Sequence, residues 1–202
     1  MPGDYLRPYR DAARRGTGFG VTLWASPAHQ RRRFAAFARM YRFAGKRILD
    51  AGCSRGDFAA FLVEREIPFA AYTGVDALAP VIEFAQQRRL PRCEFVVGDF
   101  LATPALLAAG EPDVICISGA LNTMTDAQVT ALLGHALAAA RHALIFNFLS
   151  DRAAPRAPFQ FGAVRRFDTL KLLAWALTQT SQVAFRQDYF RHGHDATVLM
   201  KK

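Results

Sequence analysis

Three aspartates close short apolar runs: Asp50 at the end of RILD, Asp76 at the end of AAYTGVD and Asp99 at the end of CEFVVGD. A carboxylate at the end of a buried strand can accept hydrogen bonds from a ligand lying across the strand ends, where open α/β sheets bind their ligands. Next to the first of them lie Gly52, Cys53, Ser54 and Gly56, in DAGCSRGD. The two glycines let the backbone bend sharply or approach a ligand without a Cβ in the way. Asp76 follows Gly52 by 24 residues, close to the roughly 20-residue spacing of a strand-end acid in nucleotide folds. There a carboxylate can accept from two vicinal hydroxyls of a ribose, each charge-assisted bond contributing about 1.5–3 kcal/mol.

These residues need a strand, turn and helix to hold them, and RILDAGCSRGDFAAFL reads in that order. Ile48 and Leu49 supply the strand, Asp57 an oxygen at the helix N-terminus, and Phe58, Phe61 and Leu62 an apolar face at helical spacing. The second strand ends at Asp76, a helix over about 79–89 turns Val81, Ile82, Phe84 and Ala85 inward, and the third strand delivers Asp99 and Phe100. PDVICISGALN is a fourth strand with its exit, Cys116 lying mid-strand as a small core residue. Thr125 or Asp126 caps a helix to about Arg141 that buries Val129, Leu132, Leu133, Leu137 and Ala140. HALIFNFLSD is the fifth strand, bringing Asn147 and Ser150 to the same edge.

The following loop, DRAAPRAPFQFGAVRR, is long and carries Phe159 and Phe161, which marks it as a candidate substrate lid. The last helix, in FDTLKLLAWALTQT, is expected to turn Leu170, Leu173, Ala174 and Leu177 inward. SQVAFRQDYF and ATVLMKK then form a hairpin whose tip, RHGHD, places His192, His194 and Asp195 near the ligand edge. Upstream, Tyr5 to Phe43 reads as helices that dock on the body, because aromatics are too frequent for disorder. Gly16, Gly18 and Gly20 mark a linker, Ser26 caps a helix with Pro27 at its first position, and Phe34, Phe37 and Tyr41 share a face.

The 202 residues, about half of them apolar, suit one core and one domain. The expected division is a helical cap over residues 1–44 within the same domain and an α/β body over 45–202. Cys53, Cys93 and Cys116 are scattered and form no C-x-x-C, which argues against a disulfide framework or a structural zinc and fits a cytoplasmic setting. No signal sequence or membrane span is expected. Of the net charge of +9, all lies in residues 1–47, where eleven Lys and Arg face only Asp4 and Asp11. Such an asymmetry is read either as a solvated face or as a surface for an anionic partner: a small acid, an acidic carrier protein or RNA.

The pattern D-x-G-x-S-x-G at Asp50, Gly52, Ser54 and Gly56 resembles the first motif of class I S-adenosylmethionine-dependent methyltransferases, with serine replacing the middle glycine. The order W-x-S, Q-R-R-R-F, L-D-x-G-C from Trp24 resembles the N-terminal extension of small bacterial members, and the closing hairpin is similar to theirs. The resemblance implies a Rossmann-like seven-stranded sheet of order 3-2-1-4-5-7-6, strand 7 antiparallel, with helices on both faces. It implies S-adenosylmethionine as cofactor and S-adenosylhomocysteine as product. In the family's terms Asp50 lies near the methionine amino group. Gly52, Cys53, Ser54 and Gly56 wrap the amino acid and ribose, Asp76 and Ala77 meet the ribose, and Asp99 and Phe100 hold the adenine. Ser118 and Gly119 would lie by the sulfonium, and Trp24, Gln30 and Arg33 would close over the cofactor.

The fourth-strand exit lacks the D-P-P-Y or N-P-P-Y of amino-group methyltransferases and the acid of metal-dependent types. The expected reaction is therefore metal-independent transfer to an oxygen or nitrogen nucleophile of a small molecule, anionic if the basic N-terminal segment faces it, driven mainly by proximity and desolvation. His29, His192 and His194 are the candidate bases, and Asn122, Asn147, Phe159 and Phe161 the candidate acceptor contacts. Two other readings stay open: an RNA methyltransferase, which the basic N-terminus permits, and a non-catalytic methyltransferase-like subunit.

Overall fold

Successive residues of a buried strand face opposite sides of the sheet, and here both sides are apolar. In the computed structural model, which describes residues 4–16, 18–155 and 164–202, Ile48 and Leu49 of the first strand belong to two different hydrophobic clusters. Val114 and Cys116 likewise face one way, Ile115 and Ile117 the other. Such strands need helices on both faces. The strands are β1 (Arg47–Ala51), β2 (Ala71–Asp76), β3 (Cys93–Val97), β4 (Val114–Ile117), β5 (Ala143–Leu149), β6 (Gln182–Arg186) and β7 (Asp195–Lys201). They form one sheet of order β3-β2-β1-β4-β5-β7-β6, as expected. β1 to β5 pair in parallel, and β7 lies antiparallel between β5 and β6.

One face is covered by α2 (Pro27–Met40), α3 (Asp57–Glu64) and α4 (Ala79–Gln87), whose Phe34, Phe37, Phe58, Phe61, Leu62, Ile82 and Ala85 join the cluster of Ile48 and Val114. The other carries α5 (Asp126–Ala139) and α6 (Thr169–Gln179). Local chemistry sets the helix starts. Ser26 accepts from the His29 amide with Pro27 at the first position, and Thr125 forms a reciprocal capping box with Gln128. Asp57 stands at the helix N-terminus as expected, as the first residue of α3 after Gly56, and its carboxylate takes Arg88 (2.7 Å) and Gln30 (3.4 Å). One expectation fails. α6 is turned from the expected face: Leu172 and Ala176 are buried, while Leu170, Ala174 and Leu177 point outward. The helix is apolar on several sides, and the cap at Asp168 together with packing on β6 and β7, not periodicity alone, decides which side faces in.

The N-terminal segment folds as α1 (Arg7–Ala13), a 3₁₀ turn at Phe19–Thr22 and α2. It is tied to the far end of the chain by a buried ion pair. Arg33 donates through both Nε and Nη2 to Asp195 Oδ2, and the Tyr189 hydroxyl donates to the other oxygen at 2.5 Å. Arg33 is 8% exposed and Asp195 1%. Removing one partner of a sealed pair strands a charge at a cost of about 3–5 kcal/mol. Asp195→Ala should lose that much in urea denaturation, whereas Arg33→Met combined with Asp195→Leu should recover most of it. A loss below about 1 kcal/mol, the range of exposed pairs, would show that the pair is open to water.

Candidate active site

The carboxyl ends of the parallel strands open into a cavity. The β1–α3 turn contributes Gly52 and Ser54, the end of β2 Asp76, Ala77 and Leu78, the exit of β3 Phe100, and the exit of β4 Ser118, Gly119 and Ala120. The N-terminal segment roofs it with Tyr5, Leu6, Tyr9, Val21, Thr22 and Trp24. Gly52 has φ +83°, and a Cβ there would stand 2.7 Å from that of Ala120, so the turn tolerates no larger residue. Asp76 is held by the amides of Ser54 (2.9 Å, to Oδ2) and Leu78 (3.0 Å, to Oδ1). Each oxygen keeps a further acceptor site. Burial raises the Asp76 pKa, opposed by these amide bonds.

Eight of the fourteen residues expected at the cofactor line this cavity: Trp24, Gly52, Ser54, Asp76, Ala77, Phe100, Ser118 and Gly119. The others stand behind it or elsewhere. Asp50 is buried under the turn, where one oxygen accepts from the Tyr72 hydroxyl and Oδ1 has no partner. Burial raises its pKa to about 7, the Tyr72 bond opposing the shift. Cys53 is buried against Gly74, and Gly56 packs on Phe95 ahead of α3. Asp99 Oδ1 takes the Tyr5 hydroxyl (2.5 Å) and the amides of Leu101 and Ala102 (2.9 and 3.1 Å), so it organises its own loop and anchors the roof. Arg33 is committed to Asp195, and Gln30 reaches Asp57.

A second cavity adjoins the first, sharing Tyr9, Thr22, Trp24 and Gly119 with it. His29, Arg33, Asn122, Leu149 and His194 line it. The structure thus brings together two of the three candidate bases, whereas His192 lines neither cavity. Asn122 stands in the wall with its side-chain oxygen on the Leu149 amide (3.1 Å). Asn147 is buried beneath, accepting from Gly119 N–H (2.8 Å) and donating to Ser118 (3.2 Å), so it shapes the β4 exit. Ser150 is fully buried in a cluster with Thr169 and Gln187, away from both cavities. Phe159 and Phe161 lie outside the described residues.

Sequence reading missed the two tyrosines of the roof. Tyr5 reaches Asp99, and Tyr9 donates to the Gly119 carbonyl at 3.2 Å. Burial raises both pKa values, that of Tyr9 to about 12, so both phenols keep their protons at neutral pH. Their four-residue spacing, which puts them on one side of a helical turn, was the available signal.

Residues 48–142 match the methyltransferase-domain family. No curated protein matches the chain in sequence. Among solved structures, the chain is similar to magnesium protoporphyrin IX methyltransferase from Synechocystis PCC 6803 with bound S-adenosylhomocysteine (17% identity, TM-score 0.65, covering 98% of this chain and 97% of that one). It is similar also to the methyltransferase domain of bacterial CtHen1 (17%, TM-score 0.67, covering 85% and 98%). Human N-acetylserotonin methyltransferase, in complex with S-adenosylmethionine, matches at 18% and TM-score 0.67, covering 100% of this chain and 63% of that one. At these identities the likeness is one of fold. Among the described residues no helix is long and apolar enough to cross a membrane. Over residues 48–142 the chain matches a methyltransferase domain, and its sheet order is the one expected of the class I methyltransferase fold.

Proposed function

We propose that the first cavity binds S-adenosylmethionine and that the chain transfers its methyl group to an oxygen or nitrogen of a small molecule seated in the second cavity, residues 1–44 acting as a cap of the same domain. The observation that carries this reading is the meeting of Gly52, Ser54, Asp76, Phe100 and Gly119 in one cavity that opens through Trp24 and Gly119 into another. The residues fit such a ligand. The turn at Gly52 leaves backbone free of side chain, Asp76 retains acceptor sites for two hydroxyls, and the orphaned Oδ1 of Asp50 is a buried acceptor beneath the same turn.

When bound, the cofactor supplies an electrophilic methyl on a sulfonium. The chain's own contribution is positional. Asp76 fixes the donor's sugar, the β4 exit at Ser118 and Gly119 forms a neutral floor, and Trp24 with Tyr9 keeps water from the passage between the cavities. Holding two reactants collinear in a dry site can supply roughly 7–11 kcal/mol of the barrier. The bonds to Asp99 from Tyr5, Leu101 and Ala102 all fall on Oδ1, so Tyr5 shares the carboxylate that an adenine would meet.

Calorimetry should show binding of S-adenosylhomocysteine and none of NAD. Asp76→Ala should weaken that binding by about 1.5–3 kcal/mol, roughly tenfold to a hundredfold; unchanged affinity in the folded variant would remove Asp76 from the site. Because the β4 exit carries Ser118, Gly119 and Asn122 rather than acids, methyl transfer to an acceptor found by screening should survive a chelator. Loss on chelation, restored by magnesium, would contradict the reading of that exit.

A further inference from the structure

We infer that Asn122 and His194 form a pair of uncharged hydrogen-bond donors in the wall of the second cavity, which assigns to it an uncharged ligand held by a carbonyl oxygen. The inference rests on the reading above for that ligand's role as methyl acceptor, but the donor pair stands without the cofactor.

The two side chains are brought together by the end of β5. The Asn122 side-chain oxygen accepts from the Leu149 amide at 3.1 Å, and the next amide, that of Ser150, donates to the His194 carbonyl at 3.2 Å. Leu149 lines the cavity with them. Asn122 is 8% exposed and His194 5%. The Leu149 bond fixes the orientation of the Asn122 amide, because a flipped group would set its NH2 against an N–H. Its Nδ2 is thus the end left over, and no group among the described residues accepts from it. On His194 the Nδ1 is sealed without a partner, the ring lying 4.5 Å from Phe190 and 6.4 Å from His29. Sealed N–H groups without an acceptor are rarer than sealed lone pairs without a donor, so the proton sits on Nε2. Asn122 and His194 then both present N–H groups, and a buried donor left unmet carries a desolvation cost that a ligand oxygen removes.

The wall holds no charge to meet an ion. Among the described residues lining the cavity the ionisable ones are Tyr9, His29, Arg33 and His194. Arg33 is neutralised by Asp195. Burial lowers both imidazole pKa values, that of His194 to about 4, and raises that of Tyr9 to about 12, so all three rings are neutral at pH 7. A carboxylate or an ammonium would give up water here and find no opposite charge in its place. A carbonyl oxygen accepts and has nothing to donate, which matches the two N–H groups, and Leu23, Trp24, Leu149 and Val164 offer apolar surface to the skeleton that carries it.

The test is calorimetry of the whole chain with four probes of one skeleton, 1-acetonaphthone, 1-ethylnaphthalene, 1-naphthoate and 1-naphthylmethylammonium, each titrated with and without saturating S-adenosylhomocysteine. The ketone should bind at least about tenfold tighter than each of the others. His194→Phe keeps a ring against Phe190, and Asn122→Asp keeps an oxygen on the Leu149 amide, so both variants should fold. His194→Phe should shrink the ketone's advantage over ethylnaphthalene without weakening ethylnaphthalene, a split that a purely structural role would not produce. Asn122→Asp should reverse the order in favour of the ammonium. Equal binding of ketone and ethylnaphthalene, tighter binding of either ion by the unsubstituted chain, an unchanged ketone preference in either variant, or no binding of any probe would overturn the inference. Failure of S-adenosylhomocysteine to bind, with the ketone preference and its response to the variants intact, would sink the cofactor reading and leave the donor pair standing.

Discussion

Gly119 has no side chain, and the space a Cβ would fill is taken by the Trp24 indole. Its backbone, in the left-handed region at φ +77°, is held from both sides: Asn147 accepts its N–H from below and Tyr9 donates to its carbonyl from above. Much of the site follows from this one contact. The β4 exit can lie flat only because no Cβ stands there, the N-terminal segment can seat its tryptophan only on that flat surface, and both cavities have Gly119 and Trp24 in their walls. The two cavities are thus separated by the same residues that dock the N-terminal segment.

The cap is fixed twice more, at its two ends. Tyr5 ties the chain before α1 to Asp99 at the β3 exit, and Arg33 ties α2 to Asp195 at the start of β7. These fixings differ in kind. The ion pair is sealed, and breaking it strands a charge. The Tyr9 bond to the Gly119 carbonyl is neutral and worth about 0.5–1.5 kcal/mol net, and the Tyr5 bond to the Asp99 carboxylate about 1.5–3 kcal/mol, each less than the cost of stranding a charge of the sealed pair. The segment is therefore held more strongly at α2 than before α1, with Gly16 between Ala13 and the 3₁₀ turn at φ +136°.

Much of this was legible in the sequence because it rests on local rules. Strand ends follow from apolar runs, and the glycine turn from residues whose lack of a Cβ has one use. The sheet order came through the family resemblance rather than through periodicity. What stayed hidden depends on contacts distant in sequence. The pairing of Arg33 with Asp195, at the far end of the chain, and the bond from Tyr5 to Asp99 could not be read from the neighbours of any of these residues in sequence. Asp57 stands at the start of α3 as its spacing indicates, but its bond from Arg88, 31 residues on, could not be read locally. The rotation of α6 was beyond a periodic reading, since leucines at Leu170, Leu172, Leu173 and Leu177 offer more than one apolar face.

The most direct test of this account is amide hydrogen exchange on Gly119→Ala, compared with the unsubstituted chain. An added Cβ meets the Trp24 ring and forces a non-glycine residue into the left-handed region, a local cost of about 1–2 kcal/mol. The account predicts that residues 5–24 lose protection while β1, β4 and β5 keep theirs, because the cap lifts and the sheet stays. Unchanged protection over residues 5–24, or an equal loss across cap and sheet, would show that the cap is not seated through Gly119.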